Sequence, residues 1–97
     1  MLTYRTDFAF TTLNGWIYVM GGLGSEGVLN LMEAYSPITD SWTSKSCMPT
    51  SRFGLVAYAW NDQIYAAGGK GRNQCFLNTF VEIFDPSTNQ WISKCVC

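Results

Sequence analysis

Apolar and polar residues alternate along the chain in short runs, and turn-forming residues separate these runs every few positions. In the second half the unbroken apolar run FGLVAYAW, which is typical of a strand covered on both faces, precedes Asn61 and Asp62. This pair predicts a two-residue hairpin turn before QIYAAGG, and FVEIF, DPSTNQ and WISKC follow. The first half keeps the same order with FAFTTL, NG, WIYVMGG, LMEAY, SPITDS and WTSKS. We therefore expect eight short antiparallel strands, four in each half, and no helix.

The two halves are copies of one repeat. GWIYVMGG begins at Gly15 and DQIYAAGG at Asp62, a shift of 47 positions that grows to 49 beyond the double glycine. The main matched residues are Arg5, Tyr18, Gly21, Gly22, Glu33, Pro37 and Trp42 in the first copy and Arg52, Tyr65, Gly68, Gly69, Glu82, Pro86 and Trp91 in the second. Because the copies differ in length only after the double glycine, LGSEGVLN and KGRNQCFLN are predicted to be loops.

This repeat resembles a known family. A unit of nearly 50 residues with four strands, a double glycine and a later tryptophan is typical of the kelch repeat. The segments Arg5 to Trp42 and Arg52 to Trp91 each resemble one kelch motif, and the MPTSR linker is similar to that of intracellular BTB-kelch (kelch-like) proteins. The resemblance implies an all-β fold of antiparallel four-stranded kelch blades, two blades of a β-propeller, with blade 1 at residues 1–47 and blade 2 at residues 48–97. Since such propellers close with about five to seven blades, we expect a two-blade fragment whose open faces can self-associate.

The repeat-matched residues receive structural roles from this resemblance. Double glycines, here Gly21 with Gly22 and Gly68 with Gly69, would supply positive φ angles and close backbone approach near the propeller axis. The aromatic residues expected to bury their rings between adjacent blades are Trp42, Trp91, Tyr18, Tyr65, Tyr35 and Phe84.

Partner binding is the function that the resemblance implies. In similar kelch domains, partner peptides contact the loop after the double glycine and the loop that joins successive blades. By position, the partner-binding residues would be Tyr4, Arg5, Arg52, Phe53, Lys70 and Arg72, with Phe76 as a further aromatic anchor. A planar guanidinium suits bidentate binding of a partner carboxylate. The alternative for Arg5 and Arg52 is that they hold neighbouring backbone carbonyls.

The amino-acid composition limits which partners and which cellular compartment we expect for this protein. Six Lys and Arg residues are scattered singly at a net charge of −1, so we expect no nucleic-acid binding. No apolar run is long enough to span a membrane, and no secretory signal pattern begins the chain. Its four cysteines, Cys47, Cys75, Cys95 and Cys97, do not match between the repeats, so we expect reduced thiols and a cytoplasmic protein.

The sequence argues against an enzyme. It contains no histidine, which excludes Ser-His and Cys-His nucleophile pairs and all histidine metal sites. Cys95 and Cys97 could bind a metal with Cys47 or Cys75, but a lone C-x-C is a weak signal, and we predict neither metal nor cofactor. GGKGRNQ lacks the spacing of a phosphate-binding loop.

The resemblance thus predicts a non-enzymatic protein-interaction module, similar to the substrate-recognition propeller of a cullin-3 ubiquitin-ligase adaptor. Cullin-3 itself would be reached only through a BTB domain, which these 97 residues do not include. The alternatives are an actin-associated cytoskeletal kelch protein and, with less support, a fragment of a propeller enzyme such as a galactose-oxidase-like oxidase.

Overall fold

Two antiparallel four-stranded sheets make up most of the computed structural model, which describes residues 4–25, 27–71 and 80–95. In chain order the strands are β1 (Ala9–Leu13), β2 (Trp16–Met20), β3 (Leu23–Gly24), β4 (Gly27–Val28), β5 (Met32–Ser36), β6 (Ser41–Lys45), β7 (Val56–Trp60), β8 (Gln63–Ala67), β9 (Phe80–Asp85) and β10 (Gln90–Cys95). The first sheet has the order β1-β2-β5-β6 and the second sheet the order β7-β8-β9-β10. The all-β fold of four-stranded blades is thereby confirmed, and no helix that could cross a membrane occurs in these residues.

The segment after the first double glycine differs from the prediction. It was expected to be a loop, yet it holds the small antiparallel ribbon β3-β4, in which Leu23 faces Val28. Most of the matching segment of the second repeat, residues 72–79, lies outside the described residues, as do Arg72, Cys75 and Phe76.

Both predicted hairpin turns form with positive φ angles at their two central residues. Asn14 and Gly15 have φ of 52° and 82°, and Asn61 and Asp62 have φ of 53° and 61°. This pair of angles suits the right-handed twist of the flanking strands. It also disfavours side chains other than Gly and Asn, which makes Asp62 the less suitable residue of the two repeats.

We expect Asp62→Gly to stabilise the protein by about 0.5–1 kcal/mol, because it restores the Asn-Gly turn of the first repeat and removes the cost of a left-handed aspartate. Urea unfolding measures this change. Gly15→Ala is the matched control and should lower stability, since its φ is 82° and the added methyl group contacts nothing within 4 Å. A loss of stability in Asp62→Gly would contradict this view of the turn.

The hydrophobic core lies between the two sheets. Its first-sheet side consists of Ala9, Leu13, Trp16, Tyr18, Met20, Met32 and Ala34, and its second-sheet side of Ala57, Ile64, Ala66, Phe84 and Trp91. The rings of Tyr18 and Phe84 meet across this core with their centroids 6.2 Å apart. Met48 and Leu55, from the segment that joins the sheets, also belong to it. The two repeats are therefore packed face to face.

The outer face of the second sheet is open. Val56, Tyr58 and Trp60 on β7 are 63%, 46% and 64% exposed, so β7 is covered on one face and the prediction of two covered faces is wrong. Tyr65 stacks on Tyr58 there, with ring centroids 5.1 Å apart, and does not face the inter-sheet core. Tyr35 packs on Trp42 on the opposite open face, that of the first sheet.

Candidate functional site

The double glycines hold the end of each sheet together. A Cβ on Gly22 would lie 2.6 Å from the carbonyl oxygen of Thr6, and one on Gly69 would lie 2.5 Å from that of Phe53. Only a residue without a side chain permits this approach, at φ angles of 102° and 80°. The segment before each inner strand can then bridge to the residue after the glycines, as Phe53 does to Lys70.

These bridges lie next to each other in the two repeats. Thr6 pairs with Leu23 as Phe53 pairs with Lys70, and the Gly54 amide donates a 2.8 Å hydrogen bond to the Asp7 carbonyl. Asp7 and Gly54 are matched at the shift of 47, and both have positive φ, 54° and 66°. We call this shared edge, with the β3-β4 ribbon, the loop end of the sheets.

Arg52 lies buried directly behind the loop end. Its guanidinium donates one hydrogen bond to Glu82 Oε1 at 2.7 Å and another to the Gly68 carbonyl at 3.2 Å. Glu82 also accepts a hydrogen bond from the Thr50 hydroxyl at 2.9 Å. The exposed fractions of the Arg52 and Glu82 side chains are 0% and 1%, so their charges neutralise each other inside the protein.

The Arg52 backbone belongs to the other sheet's hydrogen-bond network. Its amide donates to the Leu29 carbonyl at 3.1 Å, and its carbonyl accepts from the Gly22 amide at 2.8 Å. Arg52 therefore joins the first sheet through its main chain to the second sheet through its side chain.

Arg5 makes the equivalent contacts in the first repeat. Its guanidinium donates to Glu33 Oε1 at 2.6 Å and to the carbonyls of Gly21 and Leu31 at 3.0 and 2.9 Å. The side chain is fully buried. Both arginines have the geometry of the structural alternative, since their guanidinium groups hold carbonyls and a glutamate within their own sheet. A partner-binding role for Arg5 and Arg52 stays a prediction.

The other predicted binding residues differ in how exposed their side chains are. Tyr4 is 82% exposed beside Thr6, whereas Phe53 and Lys70 are half-buried at their bridge. Arg72 lies outside the described residues. The loop end thus presents aromatic rings and a cation in front of the buried arginines.

Sequence reasoning missed Asp7 and the β3-β4 ribbon as parts of this edge. Asp7 is exposed and takes the position that Gly54 holds in the second repeat. The signal was available, because Asp is one of the few residues that tolerate the left-handed region and it aligns with a glycine. No comparable signal marks the ribbon.

In the part of the chain that the structure describes, the pKa values of two tyrosines are raised, and neither tyrosine lies at the loop end. Burial raises the pKa of the Tyr18 hydroxyl, which stays neutral in the inter-sheet core. A hydrogen bond to Asp40 raises the pKa of Tyr35.

Cys47 is an exposed free thiol, and the described part of the chain contains no group of three or more metal-ligating side chains. Cys97, one of the two C-x-C candidates, and the side chain of the other, Cys95, lie outside the described residues.

Two adjacent four-stranded sheets, with double glycines near the start of each loop and a buried Arg-Glu pair in each repeat, define neighbouring blades of a β-propeller. The family model of the Kelch motif matches this chain twice, at residues 4–49 and 51–93. The chain belongs to the kelch-repeat family, which confirms the resemblance drawn from its sequence.

The chain spans between 11% and 23% of the length of three curated relatives that it matches. An F-box/kelch-repeat protein of Arabidopsis thaliana is 32% identical over 88 residues, which is 90% of this chain and 23% of that protein. Kelch-like protein 36 of Bos taurus is 32% identical over 67% of this chain and 11% of its own length. Beta-scruin of Limulus polyphemus is 32% identical over 97% of this chain and 11% of its length. The solved structure of YjhT superposes with a TM-score of 0.85 at 27% identity, covering 96% of this chain and 38% of YjhT.

Proposed function

We propose that the chain supplies two blades of a protein-interaction propeller and that the partner protein docks on the loop end. The observation that carries this proposal is the Gly54 to Asp7 hydrogen bond, which sets two repeat-equivalent bridges side by side. Loops held by a rigid sheet can vary in sequence, and their side chains can recognise a partner. In this chain the buried Arg-Glu pairs behind the loops keep the backbone fixed.

The chemistry of the loop end fits a peptide that carries both apolar and acidic groups. Tyr4 and Phe53 offer aromatic surface, and exposed aromatic rings often contribute most to binding energy. Lys70 adds positive charge next to Phe53. We therefore propose these residues, together with Arg72, as the contact surface.

The finer proposal is substrate recognition for a cullin-3 ubiquitin-ligase adaptor in the cytoplasm. It is supported by the similarity of the MPTSR linker to BTB-kelch proteins and by the match to Kelch-like protein 36. In that role the loop end captures the substrate, and a BTB domain elsewhere in the parent protein engages cullin-3. Actin association is the competing role.

The test uses the 97-residue chain as bait in affinity capture followed by mass spectrometry. We expect the double variant Tyr4→Ser and Lys70→Ser to lose specific partners at least tenfold, because Tyr4 and Lys70 lie at the loop end. Ile38→Ser is the matched control, since Ile38 is 92% exposed in the β5-β6 turn at the opposite end of the sheet.

Partners retained by the double variant but lost by the control would contradict the proposal. Cosedimentation of the chain with filamentous actin separates the two roles. Binding to filaments that the double variant abolishes would favour the cytoskeletal role over the adaptor role.

A further inference from the structure

We propose that Asp7 selects partners that present a basic side chain at the loop end, because its exposed carboxylate binds an arginine or a lysine of the docked protein. This inference rests on the proposed docking of a partner at the loop end, and it adds a class of residue that the partner carries. Together with an acidic group bound by Lys70, the partner segment then carries charges of both signs.

The Asp7 carboxylate differs from most other carboxylates of the described residues. Glu33 and Glu82 pair with the buried arginines, and Asp40 and Asp85 accept hydrogen bonds from nearby hydroxyl groups. Within the part of the chain that the structure describes, no hydrogen bond or ion pair involves the Asp7 side chain. It can therefore bind a cation of another molecule without breaking a contact of its own.

The backbone at Asp7 adopts a conformation that suits glycine better than aspartate. Its φ of 54° lies in the left-handed region, which disfavours residues with a side chain. The other described non-glycine residues with positive φ lie in the hairpin turns, where asparagine and aspartate are common. Asp7 instead precedes β1, and its repeat equivalent is Gly54. A strained residue at the edge of a candidate site, where the other repeat has glycine, indicates a role in binding.

Main-chain hydrogen bonds hold Asp7 at a fixed place on the loop end. Its carbonyl accepts a 2.8 Å hydrogen bond from the Gly54 amide, and Phe53 and Lys70 exchange two hydrogen bonds of 2.9 Å. The segment of Phe53 and Gly54 thus lies between the main chains of Asp7 and Lys70. A Cβ on Gly54 would have no described atom within 4 Å, so a partner can approach this segment.

Opposite charges on the two sides of Phe53 suit a partner with the reverse arrangement of charges. Asp7 attracts a basic group and repels an acidic one, and Lys70 does the opposite. Complementary charges of this kind contribute to the choice of partner more than to affinity. An arginine fits Asp7 best, because its guanidinium can donate two hydrogen bonds to one carboxylate.

Selection from a phage-displayed library of random peptides on the immobilised 97-residue chain tests the proposal. We expect wild type to select peptides enriched in arginine and lysine. Asp7→Asn should lose this enrichment, since it removes the charge and keeps a residue that tolerates positive φ. The peptides selected on wild type should bind Asp7→Asn about tenfold more weakly, and this difference should shrink at high salt.

Asp62→Asn is the matched control. Asp62 is an exposed aspartate with φ of 61°, but it lies in the hairpin turn at the other end of the sheet. The control should select the same peptides as wild type.

Urea unfolding gives a second readout. Asp7→Gly should unfold at a higher urea concentration than wild type and still lose the preference for basic peptides, because it removes the left-handed aspartate. A stability of Asp7→Gly below that of wild type would show that the carboxylate serves the fold, and it would overturn the proposal.

No enrichment of arginine and lysine on wild type would overturn the proposal, as would equal enrichment on Asp7→Asn. In either case, the double variant Tyr4→Ser and Lys70→Ser shows which proposal has failed. If it no longer binds the selected peptides, the loop end is the docking site and only the role of Asp7 is wrong. If it binds them like wild type, or if wild type selects no peptide, both proposals are wrong.

Discussion

Arg52→Met is expected to destabilise the protein by about 3–5 kcal/mol, because it leaves Glu82 charged and buried without its partner. Total stabilities of small domains are about 5–15 kcal/mol, so this single change removes much of the folding free energy. The Gly68 carbonyl also loses the Arg52 guanidinium as a donor. Urea unfolding monitored by tryptophan fluorescence measures the loss.

Two controls separate the ion pair from a general effect of losing a cation. Lys94→Met removes an exposed positive charge and should change stability by less than about 0.5 kcal/mol. The double variant Arg52→Met with Glu82→Met should recover part of the loss, since it removes both buried charges. If Arg52→Met is as stable as Lys94→Met, the buried pair does not contribute to the fold as described.

Phe84→Ala should cost about 3–5 kcal/mol through lost burial and the cavity it leaves. The Phe84 side chain is fully buried between the rings of Tyr18 and Trp91, at centroid distances of 6.2 and 5.2 Å. Because it belongs to the interface of the two sheets, its loss should lower the stability of both repeats together. Thermal unfolding followed by far-ultraviolet circular dichroism measures the change.

The control for this variant is Phe10→Ala, at a ring that is 64% exposed on the open face of the first sheet. It removes the same number of atoms and should cost less than about 1 kcal/mol. Equal losses in the two variants would mean that the inter-sheet core is not the principal source of stability.

Local sequence signals predicted most of the fold. Alternation of period two placed the strands of both four-stranded sheets, and Asn14-Gly15 and Asn61-Asp62 marked the hairpins because few residues accept positive φ. The ribbon β3-β4 was missed because a two-residue strand carries too few side chains to show an alternation of apolar and polar residues.

Burial was harder to predict than strand position. FGLVAYAW is apolar on both faces, yet Val56 and Trp60 are exposed. An apolar pattern shows that a strand face is suited to packing, but it does not show whether another segment packs on that face. Tyr65 is a second example, because it lies on the open face of the second sheet whereas its repeat equivalent Tyr18 is buried.

The ion pairs of Arg5 and Arg52 were also hard to predict, although the sequence contains both members of each pair. Arg5 and Arg52 are matched in the repeats, and so are Glu33 and Glu82, with which they pair at 2.6 and 2.7 Å. Two charges of opposite sign that repeat together indicate an internal ion pair. Sequence spacing alone could not show this, because 28 and 30 residues separate the members of each pair.

Amide hydrogen exchange, measured by nuclear magnetic resonance, tests most directly whether the two repeats form one rigid frame behind the loop end. Among the amides that donate across the repeats are those of Gly22, Arg52 and Gly54, which donate to the carbonyls of Arg52, Leu29 and Asp7. We predict that they are protected as strongly as the ladder amides of β2 and β8, because all should exchange only when the whole chain unfolds. Fast exchange at these three amides, with β2 and β8 still protected, would contradict the account.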